Sequence, residues 1–147
     1  MKYVCLMSLV ALLSGCGGSG PSDAPERYDV QGKVTFAGNP IPQGTIQFVP
    51  SKGNKGPAGS ASIVNGEFNT ADGGTGIIGG SHEIIFNGFD GNAKPDEELP
   101  LGEPLFYEHR MNYDFPETND GDSPLSLEFE VPESAKEEPK KRRVPQV

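Results

Sequence analysis

The sequence predicts an all-β domain, and three observations carry that prediction. Apolar residues alternate with polar ones at a period of two in several short segments, the signature of half-buried strands. The 147 residues include 20 Gly and 14 Pro, which punctuate those segments with turns. The segments themselves are rich in Val, Ile and Phe, and the chain has no Trp.

The first strand is expected at 28–36, with Tyr28, Val30, Val34 and Phe36 on the inner face and Asp29, Gln31, Lys33 and Thr35 on the outer. Residues 37–44 form a Pro- and Gly-rich connection, after which Ile46 and Phe48 point inward from a second strand that ends at Pro50. An exposed loop covers 51–57. A hairpin follows, with strands at 58–63 and 67–69 about Asn65-Gly66, a pair suited to the positive φ angles of a tight turn; Phe68 points into the core. The five glycines within 70–80 mark a loop, and 81–89 is a strand with His82, Ile84 and Phe86 on one face. No regular pattern emerges over 90–122. The last strand, 125–131, turns Leu125, Leu127, Phe129 and Val131 inward and stops at Pro132. Gly32 and Gly44 are expected at a bulge or turn that a side chain would obstruct.

Both ends of the chain have a different character. Behind Lys2 lies an apolar run of ten residues, 4–13, too short to span a bilayer as a helix, followed by Ser14-Gly15-Cys16. Leu13-Ser14-Gly15-Cys16 resembles the lipobox of bacterial lipoproteins, which implies removal of 1–15 and acylation of Cys16. Gly17 after that cysteine, where an aspartate would signal inner-membrane retention, favours the outer membrane of a two-membrane cell. Residues 16–26 then form a flexible tether, whose ten residues beyond Cys16 have an end-to-end distance of about 17 Å. The folded domain is expected at 27–131. Residues 132–147 mix proline with charge and read as a disordered tail.

Charge and cysteine content remove several function classes. Among charged residues the signal contains only Lys2, so its removal takes the formal net charge from −9 to −10. So acidic a chain is not expected to bind nucleic acid, which demands phosphate neutralisation by Lys and Arg. With Cys5 lost and Cys16 acylated, neither a disulfide nor a thiol nucleophile remains.

The order of segments resembles small bacterial lipoproteins with a transthyretin-like, or carboxypeptidase regulatory-like, domain. The resemblance is carried by Val30-Gln-Gly-Lys-Val-Thr-Phe36, Gly38-Asn-Pro-Ile-Pro-Gln-Gly-Thr-Ile-Gln-Phe-Val-Pro50, Asn65-Gly-Glu-Phe68, Gly80-Ser-His-Glu-Ile-Ile-Phe86 and Ser123-Pro-Leu-Ser-Leu127. It implies a single Greek-key β-sandwich of about seven strands, and a structural, adhesive or binding role in the cell envelope. His82 stands where an aromatic residue is expected. Hydrolases that share this fold are similar in their paired His and Arg residues and in a Tyr-Arg-Gly-Ser carboxyl terminus. This chain ends in Val144-Pro-Gln-Val147, and its only histidines are His82 and His109, so enzymatic activity is not expected.

Three patterns remain as candidate sites. Residues 90–122 hold ten acids against Lys94 and Arg110, and their oxygen-rich turns at Asp90, Asn92, Asn119, Asp120 and Asp122 make calcium the one cofactor to consider. The EF-hand spacing is missing, and the same residues make turns by hydrogen bonding to their own backbone. Phe89, Phe106, Tyr107, Tyr113 and Phe115 supply either an aromatic patch for a glycan or a satellite core. Lys140, Lys141, Arg142 and Arg143 form a basic cluster that reads as a solvated tail, or else touches anionic headgroups or the acidic loops.

Overall fold

In the computed structural model, residues 25–119 and 123–137 are described. Eight strands account for half of them: β1 (Val30–Phe36), β2 (Asn39–Pro40), β3 (Gln43–Pro50), β4 (Gly59–Val64), β5 (Glu67–Asn69), β6 (Gly80–Phe89), β7 (Pro104–Phe115) and β8 (Leu125–Val131). Among the described residues only two short 3-10 turns, Pro95–Glu97 and Glu133–Glu137, interrupt this all-β architecture.

The strands form one curled sheet in the order β2-β1-β5-β4-β3-β6-β7, with β8 on the remaining edge of β1. Every pairing is antiparallel except β1–β8, which runs parallel in unbroken register from Val30↔Leu125 to Phe36↔Val131. Because β8 occupies one side of β1 throughout, β5 and β2 share the other side, end to end. Curling brings β1, β5 and β8 face to face with β3, β6 and β7. Ring contacts cross the gap between Phe48 and Phe68 (6.1 Å), Phe86 and Phe129 (5.4 Å), and Phe36 and Phe106 (5.1 Å). The resulting core includes Val30, Val34, Ile46, Phe48, Ile63, Ile84, Phe86 and Val131, all fully buried. Each such Phe or Ile contributes about 1.5–3 kcal/mol by leaving water.

Most of the alternation holds. Val30 and Val34 face inward in β1, Ile46 and Phe48 in β3, Phe68 in β5, and Leu127, Phe129 and Val131 in β8. Asn65 and Gly66 both take positive φ, 52° and 78°, as their hairpin turn requires.

Four features depart from the sequence reading. The segment without a pattern contains β7, whose twelve residues make it the longest strand. Phe106 and Phe115 are both buried although nine positions apart, an odd spacing that a regular strand would put on opposite faces. A bulge resolves this: two steps along β6, from Phe86 to Gly88, oppose three along β7, from His109 to Phe106, and Glu108 sits there at φ 48°. Second, two connections contribute to the core, through Ile41 and Ile77 (both fully buried) and Ile78. Third, Gly32 and Gly44 lie in regular ladder, not at a bulge or turn. A Cβ on Gly32 would fall 1.9 Å from the Leu127 carbonyl oxygen, and one on Gly44 would fall 2.4 Å from that of Asn87. Last, where the sequence starts a tail at 132, the turn Glu133–Glu137 packs against β7 and buries Ala135.

Candidate functional site

One wall of the sheet, β4-β3-β6-β7, turns an outer face away from the core. Alternation fixes its composition, because each residue between inward Ile or Phe positions points out: Thr45 and Gln47 from β3, Glu83, Ile85 and Asn87 from β6. Tyr107 emerges from β7 beside Phe89, the two rings meeting edge to face with centroids 6.0 Å apart. Tyr107 is 54% exposed.

Polar contacts tie the strands together across this face. Asn87 clamps the bulge, its Oδ1 accepting from the Glu108 N–H at 3.0 Å while its Nδ2 donates to Thr45 Oγ1 at 3.2 Å. Arg110 donates from Nη1 to Glu83 at 2.6 Å and from Nη2 to Glu108 at 3.4 Å. These bonds, that to Glu83 above all, raise the pKa of Arg110 further and keep it cationic. Ser81 donates a short hydrogen bond to Asp114 at the far end. The sequence named Tyr107 and Phe89 but gave no hint of the Asn87 clamp, since an Asn in a strand has no signature of its own.

The remaining aromatic candidates divide. Phe106 and Phe115 belong to the core, at 3% and 4% exposure. Tyr113 lies at its rim against Phe115 and Phe129, with centroids 4.7 Å and 5.9 Å away.

A groove of about 910 Å³ runs over the corner where the sheet bends through the three-residue β5. Lys33, Glu67, Asp72 and Glu128 give it a mixed, net acidic lining. Lys33 and Glu67 lie opposite each other in the β1–β5 register, where unlike charges attract.

Asp90 closes the acidic excursion between β6 and β7. Its Oδ1 accepts N–H bonds from Asn92 and Glu103, both at 2.9 Å, and its Oδ2 accepts from Asn92 Nδ2 at 3.0 Å. These bonds, the Asn92 side chain first, hold the Asp90 carboxyl below the usual carboxylate range. Lys94 bridges the excursion to Glu103 at 2.8 Å. At the other end of the same hairpin, Asn119 follows β7 and donates to the Ser123 carbonyl at 2.9 Å. The ten residues of β6 separate the Asp90 turn from the Asn119 turn, about 30 Å at strand rise. Asp90 and Asn92 therefore do not meet Asn119. Among the described residues, no three His, Cys, Asp or Glu side chains gather in a way that could hold a metal ion.

His82 is fully buried and points inward with Ile84 and Phe86. Its Nδ1 lies 3.0 Å from the Gly80 carbonyl, which can only accept, so Nδ1 carries the proton. Its ring meets Phe115 edge to face at 5.2 Å, the packing an aromatic residue would provide at that position. His109 contacts the rings of Phe86 and Phe106 at 6.3 Å and 6.4 Å. Cys16, Asp120, Asp122 and the cluster at 140–143 lie outside the described residues.

With this geometry in hand, comparison with family models, curated proteins and solved structures returned no match to the chain. Among the described residues, no helix is long and apolar enough to cross a membrane.

Proposed function

We propose that this protein is a lipoprotein held on the extracytoplasmic side of a bacterial membrane through acylated Cys16. Its domain acts there as a non-catalytic binding or structural module of the cell envelope, with an envelope protein or glycan as partner. The observation that carries this reading is the run at 4–13 ending in Leu13-Ser14-Gly15-Cys16. Several acyl chains on one residue anchor stably where a single chain binds only marginally. The reading includes a transthyretin-like Greek-key sandwich, which the strand pairing supports: β5-β1-β8 forms one wall and β4-β3-β6-β7 the other, with the β4–β5 hairpin joining them. It needs no nucleophile, base or cofactor.

Intact mass of the protein purified from its native membrane tests the reading, alongside a Cys16→Ala variant. The expected mass is that of residues 16–147 plus acyl chains, lost in the variant. An unacylated chain retaining 1–15 would refute it.

A second reading, glycan binding, is favoured by the exposed Tyr107 braced on Phe89. Aromatic faces stack on the apolar faces of sugars, and neighbouring amides bond their hydroxyls. This reading does not need calcium. Retention on an envelope-polysaccharide column, abolished by Tyr107→Ala, supports it; equal retention of the variant removes it.

A further inference from the structure

Among the described residues β2, β7 and β8 are each hydrogen-bonded to a strand on one side only; β2 is two residues long, which leaves β7, with the turn Glu133–Glu137 packed against it, and β8 as the two long open edges. An open edge presents unpaired backbone donors and acceptors and either recruits a strand or carries features that repel one. The two edges differ in this respect.

An isologous contact sets a strand antiparallel to its own copy, so each residue meets its mirror position. For β8, centred on Glu128, such a pairing would place Glu128 against Glu128 and Ser126 against Glu130. Like charges directly opposite destabilise a ladder, so this edge repels itself.

For β7 the usable run is bounded on both sides. The bulge at Glu108 breaks the ladder before His109, and Pro116, with no N–H, ends it after Phe115. The seven residues between, His109 to Phe115, have Asn112 at their midpoint. Pairing about that midpoint puts Arg110 opposite Asp114 on the outer face, once on each side of the axis. On the inner face it puts Met111 opposite Tyr113 and His109 opposite Phe115. Every pair is attractive or neutral. Tyr113 is 37% exposed and Met111 is half-buried against the core, so a second copy would cover apolar surface the monomer leaves wet. Arg110 already binds Glu83 and Glu108 through Nη1 and Nη2, but each nitrogen carries two hydrogens, so donors remain for a third carboxylate.

We infer that two copies of this chain associate through β7, antiparallel about a two-fold axis at Asn112, to make one continuous sheet. This goes beyond the proposed function and does not depend on the anchor.

Directly opposed residues in an antiparallel pair have Cα atoms about 4.5–5.5 Å apart, within disulfide range. In the full chain carrying Cys5→Ser and Cys16→Ser, Asn112→Cys adds the sole cysteine, exposed and facing its own copy. Mild oxidation is expected to give a covalent dimer, whereas Lys33→Cys, exposed on β1, stays monomeric under the same conditions. Without added cysteine, the chain is expected to sediment as a dimer at roughly 100 μM, the range suited to so small an interface. Asp114→Arg, which sets Arg against Arg110 of the second copy, weakens that dimer by at least about tenfold. An unchanged far-UV circular dichroism spectrum keeps that loss separate from misfolding. A parent chain that sediments as a monomer, an Asn112→Cys chain that does not cross-link, or equal cross-linking of Lys33→Cys would overturn the proposal.

Discussion

Replacing Gly32 with Ala adds one methyl group at the most crowded point of the sheet. The new Cβ would lie 1.9 Å from the Leu127 carbonyl oxygen and 2.7 Å from its carbon, both backbone atoms that no rotamer change can move aside. Contacts below 3.0 Å force a shift, so β8 must retreat from β1 by about 1 Å at the third rung of their seven-residue ladder. Hydrogen bonds on either side would then stretch beyond useful length. Losing two costs about 2 kcal/mol, and leaving their groups unpaired beside displaced Leu127 and Phe129 raises the total to roughly 3–5 kcal/mol. Against a domain stability of about 5–15 kcal/mol this is a large fraction. In urea, with a slope of about 2 kcal/mol per molar, the midpoint should fall by roughly 2 M. Gly38→Ala is the control: Gly38 has φ +79° and no atom within 4 Å of the added carbon, so that change costs only the left-handed backbone penalty of about 1–2 kcal/mol. If the two variants unfold within about 0.3 M of each other, the collision is not what makes Gly32 necessary.

Three more outcomes follow from the packing and the charges. Ile77→Ala should lower stability by about 2–5 kcal/mol in the same urea assay, because the side chain is fully buried although it comes from a glycine-rich loop. Tyr28 donates to the Pro116 carbonyl at 2.6 Å, and burial, followed by the charge of Glu117, pushes its pKa up to about 12. Because the folded value exceeds the unfolded one, this stabilisation is complete below pH 10 and fades as pH rises towards 12; Tyr28→Phe should flatten the alkaline limb of the stability profile, and absorbance near 295 nm should show one tyrosine ionising late. The Asp90 carboxyl carbon should titrate below ordinary aspartates by NMR, and Asn92→Ala should bring it back towards them.

Strands whose neighbours cover one face fully were legible, because burial imposes strict alternation on β1, β3, β6 and β8. β7 was not, for a definable reason. A single inserted residue at Glu108 reverses the phase of everything after it, and an edge strand with wet surfaces tolerates polar residues such as Asn112 on both sides of the bulge. Ile41, Ile77 and Ile78 were missed because an isolated apolar residue among glycines and prolines has no period to reveal its direction. The glycines were legible as constraints but not by kind: Gly32 and Gly44 mark where two backbones touch, information held by the partner strand and not by the local sequence. The aromatic candidates mixed core with surface for the same reason as β7, since assigning Phe106 inward and Tyr107 outward requires knowing where the bulge falls.

The parallel ladder between β1 and β8 has a mechanical meaning. The chain enters the domain at the start of β1 and leaves it past the end of β8, so tension between its ends pulls these adjacent strands in opposite directions along their length. Load is then shared by the whole ladder as shear, and its bonds must yield together rather than peel apart one by one. A molecule held by its N-terminal end and tugged at the other would resist as a unit until it failed abruptly. The Gly32 contact, inside that ladder, is where the resistance would be set.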